Sequence, residues 1–287
     1  MIVVTGAAGH LGRVIVTNLI ARVPSGRVGA SARDPAKVAD LEALGVRVRC
    51  GDFDDIETIK HSFEGATQVL IVSSNARAFG GDPLAQHRNA INAARAVGVK
   101  RIVYTSHMAA GPTSLFPPIL DHAATEVMLA DSGLAWTALR NGFYAASGIA
   151  LMGDALKTGV IETPADGKIS WTAHGDLAEA AAIILADEGR YDGSTPPLTG
   201  SQSLNYDDVA EMVSKLINKP MRHEVLTDEA LRAKIVARGA PEAAVNILLG
   251  LYRASRKGEF ATVDPTLTQL LGRNPITMRE LIAEKVR

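Results

Sequence analysis

The sequence is poor in several kinds of residue, and each shortage excludes a class of protein. Among 287 residues there is one cysteine, Cys50, so no disulfide can form within the chain. This usage is typical of the reducing cytoplasm, where we expect the protein to reside. No uncharged apolar run approaches the ~18 residues of a spanning helix, which predicts that no segment crosses a membrane. The formal net charge is −1 and the basic residues are scattered, which argues against nucleic acid as a partner.

Patterns for metal binding and hydrolysis are also missing. His87, His107 and His122 lack the helical spacing of a paired metal ligand, so no metal site is predicted. No Gly-x-Ser-x-Gly segment is available for a hydrolase nucleophile. The sequence leaves a homodimer open.

The first twelve residues are the most informative part of the chain. Four mainly apolar residues lead into Gly6, Gly9 and Gly12, and helical spacing continues through Ile20. Such a strand, turn and helix can hold a phosphate: Gly6 permits the turn, Gly9 lets the phosphate approach, and Gly12 lets the helix pack closely on the strand. The alternative is a strand-to-helix turn that binds no ligand.

The rest of the chain predicts an α/β fold. Alternating strands and helices predict a Rossmann-like, doubly wound parallel sheet in residues 1–145, which would bind NAD(P). Residues 146–287 are predicted to form a smaller, mostly helical region on the substrate side, with some elements returning to the sheet. The six predicted strands are 1–4, 27–32, 46–50, 68–73, 100–105 and 135–139. The predicted helices are 13–20, 35–44, 56–63, 83–97, 118–130, 175–187, 206–217, 228–238, 241–257 and 278–286.

Residues after the second and third strands indicate which nucleotide is bound. Arg33 follows strand two and Lys37 lies one helical turn later. A guanidinium binds phosphate bidentately, so NADP(H) is favoured over NAD(H), although Asp34 tempers this and a solvated surface arginine is the alternative. Asp52, followed by Phe53, either receives the adenine amino group or caps a helix.

Several segments together resemble the NmrA-like branch of the atypical short-chain dehydrogenase/reductases, close to type 2 quinone oxidoreductases and triphenylmethane reductases. The resemblance extends over essentially the whole chain. Its most particular segment is Leu139-Arg-Asn-Gly-Phe-Tyr144. The other matching segments include 5–12, 32–37, 51–53, 86–95, 99–106, 122–126, 255–259 and 267–272.

The resemblance implies NADPH as the cofactor and a set of contacts at the carboxyl ends of neighbouring strands. There, Asn, Ser and backbone groups can orient a carboxamide. With the residues after strands two and three, the predicted cofactor contacts are Thr5, Gly6, Gly9, His10, Leu11, Gly12, Arg33, Lys37, Asp52, Phe53, Ser73, Ser74, Asn75, Thr105, Ser106, Asn141, Gly142 and Phe143.

The Tyr and Lys pair of ordinary short-chain dehydrogenases is missing. His122 stands near the expected lysine position, and no tyrosine precedes it on that helix. Ketone reduction through a tyrosinate is therefore not expected, whereas a quinone or a cationic dye accepts hydride with less help. His122 is the candidate proton donor because an ordinary histidine titrates near neutral pH, or else it only caps or packs its helix. Tyr144 either lines the acceptor pocket or packs as a core aromatic residue.

Two functions follow from this sequence. The first is an NADPH-dependent reductase that transfers hydride to a small-molecule electron acceptor, a quinone or a similar planar electrophile. The second is a non-catalytic NAD(P)-sensing regulator that reports to a protein partner. A cleft left open over the nicotinamide would favour the enzyme, and a plugged cleft would favour the regulator.

Overall fold

Eleven strands form one large sheet and two small ones in the computed structural model, which describes residues 1–286. The strands are β1 (Ile2–Val4), β2 (Val28–Ala32), β3 (Arg47–Cys50), β4 (Gln68–Ile71), β5 (Arg101–His107), β6 (Ala135–Asn141), β7 (Phe143–Tyr144), β8 (Val160–Pro164), β9 (Trp171–Thr172), β10 (Gly193–Ser194) and β11 (Arg222–Leu226). Seven pair in the order β10-β6-β5-β4-β1-β2-β3, with every pairing parallel. The predicted parallel doubly wound sheet is therefore confirmed.

Helices cover both faces of the large sheet. All the helices of the described residues, including those that lie away from this sheet, are α1 (His10–Ile20), α2 (Ala39–Ala43), α3 (Ile56–Phe63), α4 (Pro83–Ala96), α5 (Pro117–Ala130), α6 (Ala145–Leu151), α7 (Ala155–Thr158), α8 (His174–Ala186), α9 (Tyr206–Ile217), α10 (Asp228–Ala237), α11 (Glu242–Arg256), α12 (Thr266–Leu271) and α13 (Met278–Val286). Within residues 1–286, none is both long and apolar enough to cross a lipid bilayer.

Each face of the sheet has its own apolar core. On one face, Ile15 and Leu19 of α1 pack with Leu177 of α8 against β1 and β2. On the other, Phe63 of α3 and Ala90 of α4 pack against β4 and β5. Strands β1, β2 and β4 are buried along their whole length, as expected for a parallel sheet covered on both sides. Each fully buried Leu, Ile or Phe side chain contributes about 1.5–3 kcal/mol to the free energy of folding.

A third core lies over one edge of the sheet. Phe116, at the start of α5, and Phe143 pack there with Trp171, Tyr206 and residues of α11. Two elements after residue 145 join the large sheet or its helical layer: β10 pairs with β6, and α8 packs with α1. The division into two regions at residue 145 stays a prediction.

The structure has elements that were not predicted, namely β10, which adds a seventh strand to the large sheet, β11 and α12, and it departs from the prediction in two further segments. The helix predicted over 35–44 is a short 3-10 turn, Pro35–Val38, followed by α2. Residues 141–173, for which no strand or helix was predicted, contain β7, α6, α7, β8 and β9. Such short elements are stabilised by pairing with distant residues, as β8 pairs with β11, so local patterns did not predict them.

Candidate active site

The glycine turn between β1 and α1 has the predicted shape. Gly6 adopts a φ of +61°, and the Gly9 N–H donates to the Gly6 carbonyl at 2.8 Å. A Cβ on Gly12 would lie 2.4 Å from that carbonyl oxygen, so only glycine lets α1 approach this closely. No side chain caps α1 at Gly9. First-turn amides and the helix dipole therefore remain available to an anion.

The other predicted residues of this turn have different surroundings. Thr5 is buried, and its hydroxyl accepts the Val72 N–H at 2.9 Å. The Leu11 side chain belongs to the core, so only its backbone faces the turn. His10 is exposed, and its ring centroid lies 4.9 Å from that of His174. Thr5 therefore joins β1 to the end of β4.

Arg33, at the end of β2, is exposed and has no side-chain partner among residues 1–286. The neighbouring Asp34 carboxylate accepts the Ala36 N–H at 3.2 Å and lies 3.9 Å from the Lys37 ammonium. Arg13 is bound to Asp40 at 2.7 Å. Arg33 is thus a free guanidinium at the position where a 2′-phosphate would be recognised.

Asp52 and Phe53 follow β3, as predicted, but Asp52 does not cap a helix. Its carboxylate accepts the Asp54 N–H at 3.1 Å, whereas Asp55 caps α3 through the amides of residues 57 and 58. The alternative of a helix cap at Asp52 is therefore wrong. Phe53 is half-buried, and its carbonyl accepts from Asn89 at 2.9 Å.

A cavity of about 440 Å³ opens at the carboxyl ends of β4, β5 and β6. The first turns of α5 and the apolar faces of α6 and α11 cover it, and no Lys, Arg, Asp or Glu is among its lining residues. The predicted residues that line it are Ser73, Ser106, His122, Asn141, Gly142, Phe143 and Tyr144. The remaining predicted cofactor contacts lie outside its wall. Sequence reasoning missed the other lining residues, which are His107, Phe116, Pro118, Ser147, Ala150, Leu151, Ile247, Leu248 and Leu251.

Hydroxyl groups hold the strand ends beneath this cavity. Thr105 accepts the Ser73 N–H at 2.8 Å and donates to the Ser73 hydroxyl at 3.2 Å. The hydroxyls of Thr5 and Thr105 thus accept the N–H groups of residues 72 and 73, in place of backbone carbonyls of the neighbouring strands. β4 therefore ends at Ile71 rather than at Ser73. Ser106 donates to Glu126 at 2.6 Å, and Arg140 binds the same carboxylate at 2.7 Å.

The loop after β4 is tied down by side chains. The Ser74 N–H donates to Nε2 of the buried His87 at 2.9 Å, and the Ser74 hydroxyl bonds Gln86. Asn75 is exposed at the start of a 3-10 turn. In that turn Arg77 pairs with the buried Asp121 of α5. The loop is therefore held against α4 and α5 at the cavity edge.

His122 lines the cavity from α5, and its Nδ1 lies 2.8 Å from the hydroxyl of Tyr104. Burial lowers the pKa of His122 to about 4, so the imidazole is neutral at neutral pH. The prediction of an ordinary, accessible histidine pKa is therefore wrong. Burial raises the pKa of Tyr104, which keeps its phenol protonated.

Tyr144 and Asn141 lie at the end of the cavity nearest His10, the histidine of the glycine turn. The Tyr144 ring centroid is 4.2 Å from that of His174, which also contacts His10. Burial raises the pKa of Tyr144, partly offset by a hydrogen bond with Asn141. The Asn141 Oδ1 is buried and has no partner among residues 1–286. A free amide oxygen suits the N–H of a nicotinamide carboxamide, so these residues fit a pyridine dinucleotide.

Comparisons with known proteins agree with this geometry. A family model described as NAD(P)H-binding matches residues 6–188, more than half of the chain. Quinone oxidoreductase 2 of Escherichia coli is 34% identical over 99% of this chain and 98% of its own length. An NAD(P)H azoreductase of Xenophilus azovorans is 28% identical over 98% of this chain and 96% of its own length.

Solved structures extend the similarity to the whole fold. The structure of Escherichia coli quinone oxidoreductase QOR2 with NADPH has a TM-score of 0.92 and 33% identity, and covers 100% of both chains. Triphenylmethane reductase of a Citrobacter species with NADP(H) has a TM-score of 0.89 and 29% identity, again over 100% of both chains. A curated relative in Aspergillus flavus is named as an NmrA-like oxidoreductase. The chain therefore belongs to the NAD(P)H-binding family of NmrA-like oxidoreductases that contains quinone oxidoreductase 2.

Proposed function

We propose that this protein is an NADPH-dependent reductase that transfers hydride to a quinone or a similar planar electrophile. The observation that carries the proposal is the open cavity at the carboxyl ends of β4, β5 and β6. It has polar groups at the strand ends, an apolar cover and no charged lining side chain. Such a site suits a flat, largely apolar molecule held against a reducing ring. The names of the two curated reductases point to the same chemistry.

The proposed binding of NADPH depends on three features of the structure. The glycine turn would hold the pyrophosphate, Arg33 would bind the 2′-phosphate that distinguishes NADPH from NADH, and Asn141 would orient the carboxamide. When bound, NADPH supplies the hydride. Thr105 and Ser106 support this end from below, because their hydroxyls fix the ends of the strands on which the ring would rest.

The acceptor end needs little acid catalysis. Reduction of a quinone consumes one hydride and one proton, and we propose that the proton comes from water. His122, being neutral, acts as a hydrogen-bond donor at the cavity wall. We assign the protonated Tyr104 as the donor to its Nδ1, which places the ring proton on Nε2. Tyr144 contributes an aromatic wall.

The direct test follows NADPH absorbance while the purified protein is mixed with a panel of quinones and triarylmethane dyes. We expect saturable oxidation of NADPH with at least one neutral quinone. Stoichiometric NADPH binding without turnover of any acceptor would contradict the reductase and favour the non-catalytic regulator. The open cavity makes the regulator the weaker candidate, since a sensor needs no space over the nicotinamide.

A further inference from the structure

His107 lines the cavity, and the proposed mechanism assigns it no role. It is the last residue of β5, and its register partner on β6 is Asn141. Its Nε2 is buried and has no partner among residues 1–286. Two register-paired residues at the cavity therefore each have an unpaired polar atom, the His107 Nε2 and the Asn141 Oδ1.

The backbone fixes which nitrogen of His107 carries the proton. The Ala109 N–H donates to His107 Nδ1 at 3.2 Å, so Nδ1 is an acceptor. Burial, together with the neighbouring His122, lowers the pKa of His107 well below its ordinary value, which keeps the ring neutral. A neutral imidazole whose Nδ1 accepts must carry its proton on Nε2. The unpaired atom is therefore a hydrogen-bond donor.

The rings around His107 offer this donor no acceptor. The centroids of Phe143 and Phe260 lie 5.4 and 5.6 Å from that of His107, and His122 is stacked at 6.0 Å. Buried donors are nearly always paired, so an unpaired donor on a residue that lines a cavity calls for an explanation, and a ligand atom in that cavity would supply the missing acceptor. In a wall that lacks cations, the matching group is an uncharged carbonyl oxygen.

We propose that His107 donates a hydrogen bond from Nε2 to a carbonyl oxygen of the electron acceptor and thereby selects carbonyl-containing acceptors. The inference rests on the proposed function. The bond strengthens as hydride arrives, because that oxygen becomes negative, and it is most valuable in a site shielded from water. His107 supplies no proton: the hydride comes from NADPH, and the proton that completes the hydroquinone comes from water.

A binding experiment without turnover tests this assignment. The protein is saturated with NADP⁺, which cannot donate a hydride. It is then titrated with 1,4-naphthoquinone and, separately, with naphthalene, which has the same two fused rings but no carbonyl oxygens. We expect His107→Phe, which keeps a ring but removes the donor, to weaken naphthoquinone binding by about tenfold and leave naphthalene binding unchanged. His107→Gln, which restores an N–H donor, should stay within about threefold of the original protein. His61→Phe, the same change at an exposed site on α3, is the matched control.

Steady-state kinetics separate this inference from the proposed function. We expect His107→Phe to lower kcat/KM for naphthoquinone by about 10- to 100-fold, with the Kd for NADPH unchanged and the Gln variant largely restored. Equal losses for naphthoquinone and naphthalene, equal losses in the Phe and Gln variants, or a parallel loss of NADPH affinity would overturn the role of His107. In each of those cases the reductase activity itself would still stand. If the original protein reduces no acceptor, the proposed function fails and this inference fails with it.

Discussion

The two ends of the site are built differently. The nucleotide end comprises the short continuous turn at residues 5–12 together with Arg33, and its Gly6, Gly9, His10 and Arg33 are exposed to solvent. The acceptor end, comprising the cavity of about 440 Å³, takes its wall from strands β5 and β6 and from helices α5, α6 and α11. A local turn whose glycines are required by backbone contacts can be read from sequence. A cavity assembled from residues more than a hundred positions apart depends on the packing of the whole fold.

The two ends also differ in charge. Arg33 is a free cation at the nucleotide end, whereas the acceptor end is lined by apolar, aromatic and neutral polar groups. NADPH should therefore be recognised through its phosphates and the acceptor through shape and single hydrogen bonds. Four predictions test this contrast, beginning with the largest expected effect.

Gly12→Ala should disrupt the glycine turn and with it the binding of NADPH. The added Cβ would lie 2.4 Å from the Gly6 oxygen and 2.8 Å from its carbonyl carbon, so backbone must move. We expect NADPH binding, measured by calorimetry, to weaken by about 100-fold or more, because the turn that presents the amides is displaced. Gly26→Ala, where a Cβ meets nothing within 4 Å, is the matched control.

The Gly12 test needs a check on folding. Circular dichroism should show that the variant keeps its secondary structure. If the variant unfolds, Gly9→Ala replaces it, since a Cβ there meets the Gly6 oxygen at 3.2 Å and asks for a smaller shift. Full NADPH affinity in a folded Gly12→Ala protein would show that the turn does not hold the cofactor.

Arg33→Ala should separate the two dinucleotides. Loss of a charged hydrogen bond to the 2′-phosphate should weaken NADPH binding by about 10- to 100-fold, with NADH affected by less than about threefold. Arg27→Ala, another exposed arginine just before β2, should leave both affinities unchanged. Equal losses for both dinucleotides would place the phosphate elsewhere.

Acid should destabilise the acceptor end through its buried histidines. The pKa of His122 is about 4 in the folded protein and about 6.5 when unfolded, so the unfolded chain binds the extra proton. Its contribution to stability is present above pH 6.5 and is lost as the pH falls toward 4. Between pH 7 and 5 this loss is about 2 kcal/mol of the free energy of unfolding.

Urea unfolding at several pH values measures this effect. The His122→Phe variant should lose that much less stability between pH 7 and 5 than the original protein. The other histidines whose pKa burial lowers, His87 (about 3), His174 (about 4) and His107, should contribute to the remaining acid sensitivity. Identical pH dependence in the variant and the original protein would show that His122 is not buried in the neutral form.

An anionic acceptor should be reduced poorly. A sulfonate on naphthoquinone would lose water in a cavity without a cationic lining residue, so we expect kcat/KM about tenfold below that of the unsubstituted quinone. Leu248→Lys, which adds a cation on α11 at the cavity wall, should reduce the difference in kcat/KM between the two quinones. Equal rates for the two quinones in the original protein would mean that the acceptor does not enter this cavity.

The same contrast explains how much of the molecule could be predicted from its sequence. The parallel sheet was predictable because strands and helices alternate along the chain, and the glycine turn because each glycine has a separate steric reason. Seven cavity residues were also found, since they follow predicted strands or carry the family pattern. Helix α11 was predicted as a helix, but nothing in its sequence says that Leu248 faces the cavity.

His107 shows where prediction stopped short. The predicted fifth strand ended at Thr105, whereas β5 continues to His107 because it pairs with β6 as far as Asn141. Extending that strand by two residues would have placed a histidine at the carboxyl edge of the sheet. The lowered pKa of His122 was beyond sequence reasoning, since it arises from burial under helices that are remote in the chain.

Gly250 of α11 bears on how this enzyme could be redesigned. A Cβ there would lie 2.5 Å from the carbonyl oxygen of Leu115 and 3.3 Å from the Cα of Phe116, so α11 rests directly on the backbone before α5. The distance between α11 and the sheet is therefore fixed by a contact between two backbone segments, and substituting side chains with smaller ones would not change it. To accept bulkier substrates, the cavity should be widened by replacing Leu151 or Ile247 with smaller residues, rather than by moving α11 away from the sheet.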